Sequence, residues 1–359
     1  MDIRFLVRVS CMTFNHAPYI EDAMNGFCMQ ETTFPFVCTI MDDASTDGEP
    51  EIIKKYLKEH FDLDNKAVVR NEETDDYVLT FAQHKTNKNC YFAVYFLKYN
   101  HYSIKKPKLP YLAEFTDQAK YEAMCEGDDY WIHPEKLQKQ TDVMEKDDEV
   151  GMVYNAYRLL NNNTGKTKDI FTDSKVLHDD SFKWSIIGQR VMVGTNTVLI
   201  RTSLHKQIRE FKEDFKGYLM GDTQTWFHAA RLSKVAYIPV IMGVYRKQPT
   251  GATATFVPER RIRFINSCLD LDLHLAYKYG APKETIQEIK AIFGFGIISL
   301  YVKCGDKSKA FNINREYFNN SKIISFAIKA YSRFNIKYRK GLGALLVYLW
   351  KIGLVKIDK

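Results

Sequence analysis

The chain lacks the residues from which cross-linked or fibrous proteins are built. Its seven cysteines, Cys11, Cys28, Cys38, Cys90, Cys125, Cys268 and Cys304, are odd in number, form no C-x-x-C pair and stand partly inside apolar runs. That pattern excludes a disulfide scaffold and points to reduced, mostly buried thiols in a cytosolic protein. With only 18 glycines among 359 residues, and 45% hydrophobic beside 26% charged residues, collagen-like and disordered chains are excluded as well. Met1 to Ser10 carries Asp2, Arg4 and Arg8 in a strand-like alternation, with no apolar region of signal-peptide length. No export is expected, and the N-x-S/T matches at Asn162 and Asn319 are read as chance. There is no H-E-x-x-H, no Cys/His zinc spacing and no G-x-S-x-G; Gly165, Lys166 and Thr167 imitate the end of a P-loop, but Leu160 stands where its first glycine belongs. Gly294 and Gly296 lie in a helical apolar run and read as packing positions.

Charge is present but uneven. The 51 Lys+Arg and 44 Asp+Glu give a net +7, yet residues 322–359 hold nine basic residues and one acid, Asp358. The body of the chain is therefore near neutral, and the basic character belongs to a tail, which argues against a nucleic-acid-binding body.

The length admits one large α/β domain with appendages or two smaller domains. Strand-like runs at Phe5 to Met12, Phe36 to Met41 and Ala67 to Arg70 alternate with amphipathic helical segments at Ala17 to Met29 and Glu49 to His60. This βαβαβ pattern predicts an open, mostly parallel sheet flanked by helices, with ligands beyond the carboxyl ends of its strands. Residues 72–117, rich in Asn, Lys and Tyr, read as an irregular helix and loop insertion before the sheet resumes at Lys120 to Cys125. Further on come a helix at Pro134 to Lys146, a strand at Val150 to Leu160, a polar turn over 161–168, a strand at Val191 to Ile200, a helix at Asp222 to Leu232 and a strand pair around Pro239. Beyond Pro258 the pattern is helical.

Chemistry concentrates after the strands. Met12 to His16 follows the first, and the second runs into Asp42, Asp43, Ala44, Ser45, Thr46, Asp47 and Gly48. Carboxylates do not cradle phosphate, but they suit a base imide N–H or ribose hydroxyls; the same residues also make a good turn and helix start. The strand at 120–125 runs into Glu126, Gly127, Asp128 and Asp129, three acids in four residues. Their mutual repulsion calls for a cation, and a hard divalent metal bridging them to a diphosphate would relieve it, although a solvated turn has the same composition.

Residues 7–48 and 121–145, with their T-F-N-H, D-D-A-S-T-D-G and E-G-D-D-Y-W-I-H-P-E-K-L-Q-K-Q segments, resemble family 2 glycosyltransferases of the GT-A fold, many of which build bacterial surface polysaccharides. The resemblance extends over about residues 5–250. It implies that Thr13 and Asn15 border the nucleotide, Asp43 meets the nucleobase with Asp42 supporting the turn, and Asp128 contacts the ribose. It also implies that Asp129 binds Mn²⁺ or Mg²⁺, with Glu126 at the first position of the metal signature. Gly221, Asp222, Thr223, Gln224, Thr225 and Trp226 resemble the segment E-D-x-x-x-W that holds the family's catalytic base, with Gly221 replacing the first acid. Asp222 would then be the base, as well as or instead of a simple helix N-cap, and Arg246 would lie near the diphosphate. Processive members carry Q-x-x-R-W and several membrane spans; neither is found, which favours addition of a single sugar.

The implied protein has a GT-A catalytic domain at 1–250, with an insertion over about 72–117, and a helical region at 251–359. Its expected activity is that of an inverting, metal-dependent, non-processive hexosyl- or N-acetylhexosaminyl-transferase. A nucleotide-diphospho-sugar, with UDP favoured, would donate one sugar to a lipid-linked or oligosaccharide acceptor in surface polysaccharide synthesis. A nucleotidyltransferase of related fold and a non-catalytic nucleotide-sugar-binding partner are the alternatives; no nucleic acid is expected. On a helical wheel, Ile324, Ile328, Tyr331, Tyr338, Leu342, Leu345 and Leu349 share one side of the tail, opposite Lys329, Arg333, Lys337, Lys340 and Lys351. The tail's longest apolar run, Gly341 to Trp350, is about half the length that crosses a bilayer. Residues 322–359 are thus expected either to pack on the domain or to lie on an anionic membrane surface, at the inner face of the cell membrane.

Overall fold

A computed structural model describes residues 3–248, 258–333, 341–355 and 357. Its strands are β1 (Val7–Thr13), β2 (Phe36–Asp42), β3 (Phe61–Asp62), β4 (Arg70–Glu73), β5 (Tyr77–His84), β6 (Cys90–Leu97), β7 (Tyr121–Met124), β8 (Tyr130–Trp131), β9 (Val150–Asn161), β10 (Thr167–Ile170), β11 (Leu199–Arg201) and β12 (Lys234–Lys247). They form one sheet in the order β3-β5-β6-β2-β1-β7-β11-β9-β12-β8, with β4 added to β5 and β10 to β9.

The centre is parallel, as the βαβ pattern requires: β6, β2, β1 and β7 run in one direction. β2 is buried along its whole length, the mark of a strand covered on both faces. Away from the centre the expectation of a mostly parallel sheet fails, and the sheet is mixed. β5 turns back into β6 through a five-residue connection too short for a crossover, so the two pair antiparallel. β11 lies antiparallel to both β7 and β9.

Several local expectations change with it. The third central strand is β6, not the Ala67 to Arg70 run; this run leads into the edge strand β4. The segment at 72–117 therefore contributes β5 and β6 to the sheet rather than only helix and loop. Of the run Val191 to Ile200, only its end enters β11, after a short 3₁₀ turn at Thr195–Thr197. β12 is a single strand with register shifts between Ile238 and Ile241, where Pro239 has no N–H to give the ladder.

Helices cover both faces. Val153 and Leu199 point into the core shared with the Ile20–Cys28, Glu49–His60 and Lys136–Lys146 helices. Their neighbours Met152, Tyr154 and Ile200 point the other way, onto the Phe182–Ile187, Thr202–Ile208 and Asp222–Leu232 helices. The C-terminal helices Pro258–Lys278, Lys283–Lys303, Lys307–Phe318, Lys322–Arg333 and Leu342–Lys351 follow. Leu269, Leu275 and Ile297 join Trp184 and Phe227 in a core that ties them to the sheet's own helices. One helix, Lys283–Lys303, is long and apolar enough to cross a membrane, but Ile289, Phe295, Ile297 and Ile298 are buried by its neighbours. Ile324, Ile328, Leu342 and Leu346 pack against it, so the apolar side of the tail faces protein. Tyr338, Lys337, Lys340 and the side chain of Arg333 lie outside the described residues.

Two buried charge clusters hold this frame. Arg8 on β1 faces Glu122 on β7 at 2.6 Å, and its Nη1 donates to Thr39 Oγ1 at 3.1 Å. Burial pushes the Glu122 carboxyl up, but His205 and the Arg8 and Arg209 guanidiniums outweigh it and hold the group well below the usual carboxylate range. On the same side of the sheet, in the helix layer that covers it, His228 sits 3.1 Å from Asp214, which also accepts from Tyr279 at 3.0 Å and pairs with Lys278. Burial, then the Arg231 charge, lowers His228 to about 4.

Glu122→Gln leaves Arg8 buried without a counter-charge and is expected to cost about 3 kcal/mol in denaturant unfolding; a loss below about 1 kcal/mol would contradict a structural role. Because His228 is depressed in the folded state, it contributes stability that is present above its ordinary pKa of 6.5 and lost as pH falls toward about 4. Acid titration of stability should be shallower across that window in His228→Gln.

Candidate active site

The parallel strands β1, β2 and β7 end at one edge of the sheet, which brings residues 13–16, 42–48 and 125–129 together. Gly127 donates its N–H to Met12 O at 3.1 Å. A Cβ there would stand 2.1 Å from Thr13 Oγ1, so glycine alone permits the two loops to touch. Glu49, wholly buried at the start of its helix, is the hub beneath them. Its Oε1 accepts from the Thr13 hydroxyl, and its Oε2 accepts from His16 N at 2.8 Å and Ser45 Oγ at 2.9 Å. Asn15 and Ala44 both adopt left-handed backbone, with φ of 56° and 61°. Asn15 then donates its N–H to Ser45 Oγ and accepts from Thr46 N, both at 2.8 Å, stitching the first loop to the second.

Asp42 accepts from Ser45 N at 3.2 Å inside this turn, and burial raises it to about 6 against the opposing Ser45 bond. Asp43 is only 2% exposed. It accepts from His101 N at 2.7 Å, Tyr102 N at 3.1 Å and Lys108 Nζ at 2.8 Å. Burial pushes Asp43 up, but Lys108 and the two backbone bonds bring it below its ordinary value. This carboxylate therefore anchors the 99–108 segment over the strand ends.

Beside these loops lies a cleft of about 250 Å³ whose polar lining includes Glu126, Asp128, Asp222 and Arg246. Leu219, Met220, Tyr245 and Phe264 form apolar walls, Phe264 coming from the Pro258–Lys278 helix. Glu126 opens into the cleft but is poorly solvated there; desolvation first, then the charges of Asp222 and Asp128, raise it to about 7. Asp222 is the first residue of its helix, with Gly221 in the cap position, and it makes no capping bond. Its Oδ2 accepts from Thr195 Oγ1 at 3.1 Å, and desolvation, only partly offset by that bond, raises its pKa. The simple N-cap reading of Asp222 is thereby overturned.

Asp129, expected to hold the metal, is 2% exposed, and its Oδ1 accepts from Arg246 N at 2.8 Å. Burial, then the Asp128 charge, raise it well above the usual carboxylate range. Of the acidic turn, the carboxylates that open into the cleft are instead Glu126 and Asp128. Arg246 donates Nη1 to Asp128 O at 2.9 Å, pairs with Asp22 and stacks 4.2 Å over the Tyr130 ring. Its guanidinium braces the acidic turn. Among the described residues no three carboxylate, imidazole or thiol groups form a ready-made metal cluster. Two hard oxygen donors that repel each other nevertheless fit a divalent cation that takes its remaining ligands from a diphosphate and water. Glu49, Thr195, Lys108 and Asp22 were not anticipated from sequence. Glu49 had the form of an ordinary helix start, and Asp22 lies 224 residues from its partner.

No protein-family model matches the chain. The uncharacterized proteins Mb1547 of Mycobacterium bovis and Rv1520 of Mycobacterium tuberculosis are each 25% identical over 253 residues, 70% of this chain. The match spans 61% of the length of these curated relatives. Among solved structures, the mannosyltransferase PcManGT from Pyrobaculum calidifontis, in complex with GDP-Man and Mn²⁺, superposes with a TM-score of 0.50 at 14% identity, over 98% of this chain and 88% of that one. The chain shares the fold of this glycosyltransferase. S. aureus TarS 1–349 in complex with UDP-GlcNAc is similar at a TM-score of 0.46 and 13% identity, over 93% and 92% of the two chains.

Within this fold the contact between Gly127 and Thr13 sets where the acidic turn sits. Gly127→Ala is expected to lower the thermal unfolding midpoint, with a loss of about 1–3 kcal/mol; an unchanged midpoint would show that the two loops do not need to touch.

Proposed function

We propose that the chain is an inverting, non-processive glycosyltransferase of GT-A organisation that moves one sugar from a nucleotide-diphospho-sugar, with UDP favoured as nucleotide, to an acceptor hydroxyl. The observation that carries this reading is the convergence of Glu126, Asp128, Asp222 and Arg246 on one cleft at the carboxyl edge of a parallel sheet centre. Open α/β sheets bind ligands at that edge. The glycosyltransferase fold supports it at the level of architecture.

In this reading the nucleoside lies over the stitched loops at 13–16 and 42–48, with Thr13, Asn15, Asp42 and Asp43 shaping its seat. Glu126 and Asp128 would hold Mn²⁺ or Mg²⁺, with Asp129 fixing the turn that presents them, and a cation there would supply neutralisation of charge on the departing diphosphate. Asp222 takes the proton from the acceptor hydroxyl as its oxygen attacks the anomeric carbon, on the face opposite the breaking bond to the diphosphate. A raised proton affinity suits that task, and the bond from Thr195 aims the carboxylate. Residues 1–250 form the catalytic domain, and the helical region at 251–359 closes the cleft through Phe264. We further assign the donor sugar to the hexosyl or N-acetylhexosaminyl class and the acceptor to lipid-linked or oligosaccharide glycans of surface polysaccharide synthesis. The absence of disulfides among the seven cysteines supports work in the cytoplasm, beside the inner membrane face.

The test is a nucleoside-diphosphate-release assay against UDP- and GDP-sugars with glycan acceptors. Asp222→Asn should reduce turnover by about 10²–10⁴-fold while nucleotide affinity stays at the unmutated level. Retained turnover would place the base elsewhere.

A further inference from the structure

Packing of the tail fixes which of its faces remains outside. In the Lys322–Arg333 helix, Ile324, Ala327 and Ile328 are buried against the bundle. The opposite face carries Phe326, 73% exposed, and Ile323, 37% exposed, within about 60° of each other at 100° per residue. Lys322 and Lys329, both exposed, lie on the same side. The adjacent Leu342–Lys351 helix repeats the composition: Tyr348, 60% exposed, and exposed Lys351 share one side, with Ile352 and Leu354 just beyond. No Asp or Glu occurs from residue 322 to residue 357.

We propose that this outward face, centred on Phe326 between Lys322 and Lys329, docks on an anionic lipid surface. An exposed aromatic flanked by lysines is the composition of a membrane interface, where the ring enters the headgroup layer and the ammonium groups meet lipid phosphates. Protein interfaces are depleted in lysine, which disfavours a protein partner. A second copy would set lysine against lysine. The membrane-facing residues are thus not the apolar side of the wheel, which is spent on protein packing, but the side that carries the lysines. Docking here does not require the transferase reading, because lipid binding and nucleotide binding are measured separately.

The full chain should sediment with vesicles rich in phosphatidylglycerol and not with vesicles of phosphatidylcholine alone. Phe326→Glu should weaken partitioning at least about tenfold, and Lys322→Gln with Lys329→Gln by about twenty-fivefold, some fivefold for each lysine. Both changes fall on exposed side chains, so thermal unfolding and nucleotide affinity should stay unchanged and serve as controls. Equal sedimentation of Phe326→Glu and the unmutated protein would overturn the proposal. So would equal binding to phosphatidylcholine, or a dimer seen by light scattering that Phe326→Glu dissolves.

Discussion

Carboxylates crowded into a poorly solvated cleft are the constraint around which this edge of the sheet is organised. Desolvation first, then the charges of Asp222 and Asp128, drive Glu126 to about 7; desolvation also raises Asp222, and desolvation followed by the Asp128 charge raises Asp129. A chain pays for such a cluster in stability unless backbone and counter-charges hold it. Here Gly127 lets the acidic turn lie directly on Thr13, and Arg246 clamps the turn through Asp128 O, Asp129 and Asp22. Negative charge left over after these contacts is what a divalent cation would neutralise, with a diphosphate completing its ligands.

The rest of the fold supplies rigidity to that edge. The Arg8–Glu122 pair links β1 to β7, buried toward the amino ends of the strands whose carboxyl ends carry the loops. Glu49 ties the first two post-strand loops into one unit. The helix that presents Asp222 is anchored on its far turns by Phe227 and His228, which pack against the Pro258–Lys278 helix and the Asp214 cluster. The same C-terminal helix lends Phe264 to the cleft wall, so the helical region and the carboxylates share one frame.

What could be read in the sequence follows from how local each signal is. The helix at Glu49 to His60 and the strand at Phe36 to Met41 have unbroken periodicity and fall within a residue of their structural bounds. The acidic turn and Asp222 were visible because each is a compact motif, and the cleft unites both. β6 was missed although Cys90–Leu97 is almost wholly apolar, because the Asn- and Lys-rich stretches on either side disguised it as part of an insertion. Antiparallel β11 is three residues long, too short for any period. Which of two adjacent aspartates faces the cleft depended on the Arg246 N–H reaching Asp129 from 117 residues away, and no local pattern encodes that. Of the apolar side of the tail's wheel, Ile324, Ile328 and Leu342 are buried together and Tyr331 and Leu349 partly so, but only packing could decide which side stays exposed.

The central claim, that charge frustration in the cleft is resolved by a cation shared with a diphosphate, is tested most directly by calorimetric titration of Mn²⁺ into the protein with and without UDP or GDP. With Glu126 and Asp128 as its ligands from the protein, Mn²⁺ should bind weakly alone and much more tightly with the nucleotide. That gain should vanish in the Glu126→Gln, Asp128→Asn double variant. Equal Mn²⁺ affinity with and without nucleotide, or a gain that survives in the double variant, would contradict the account.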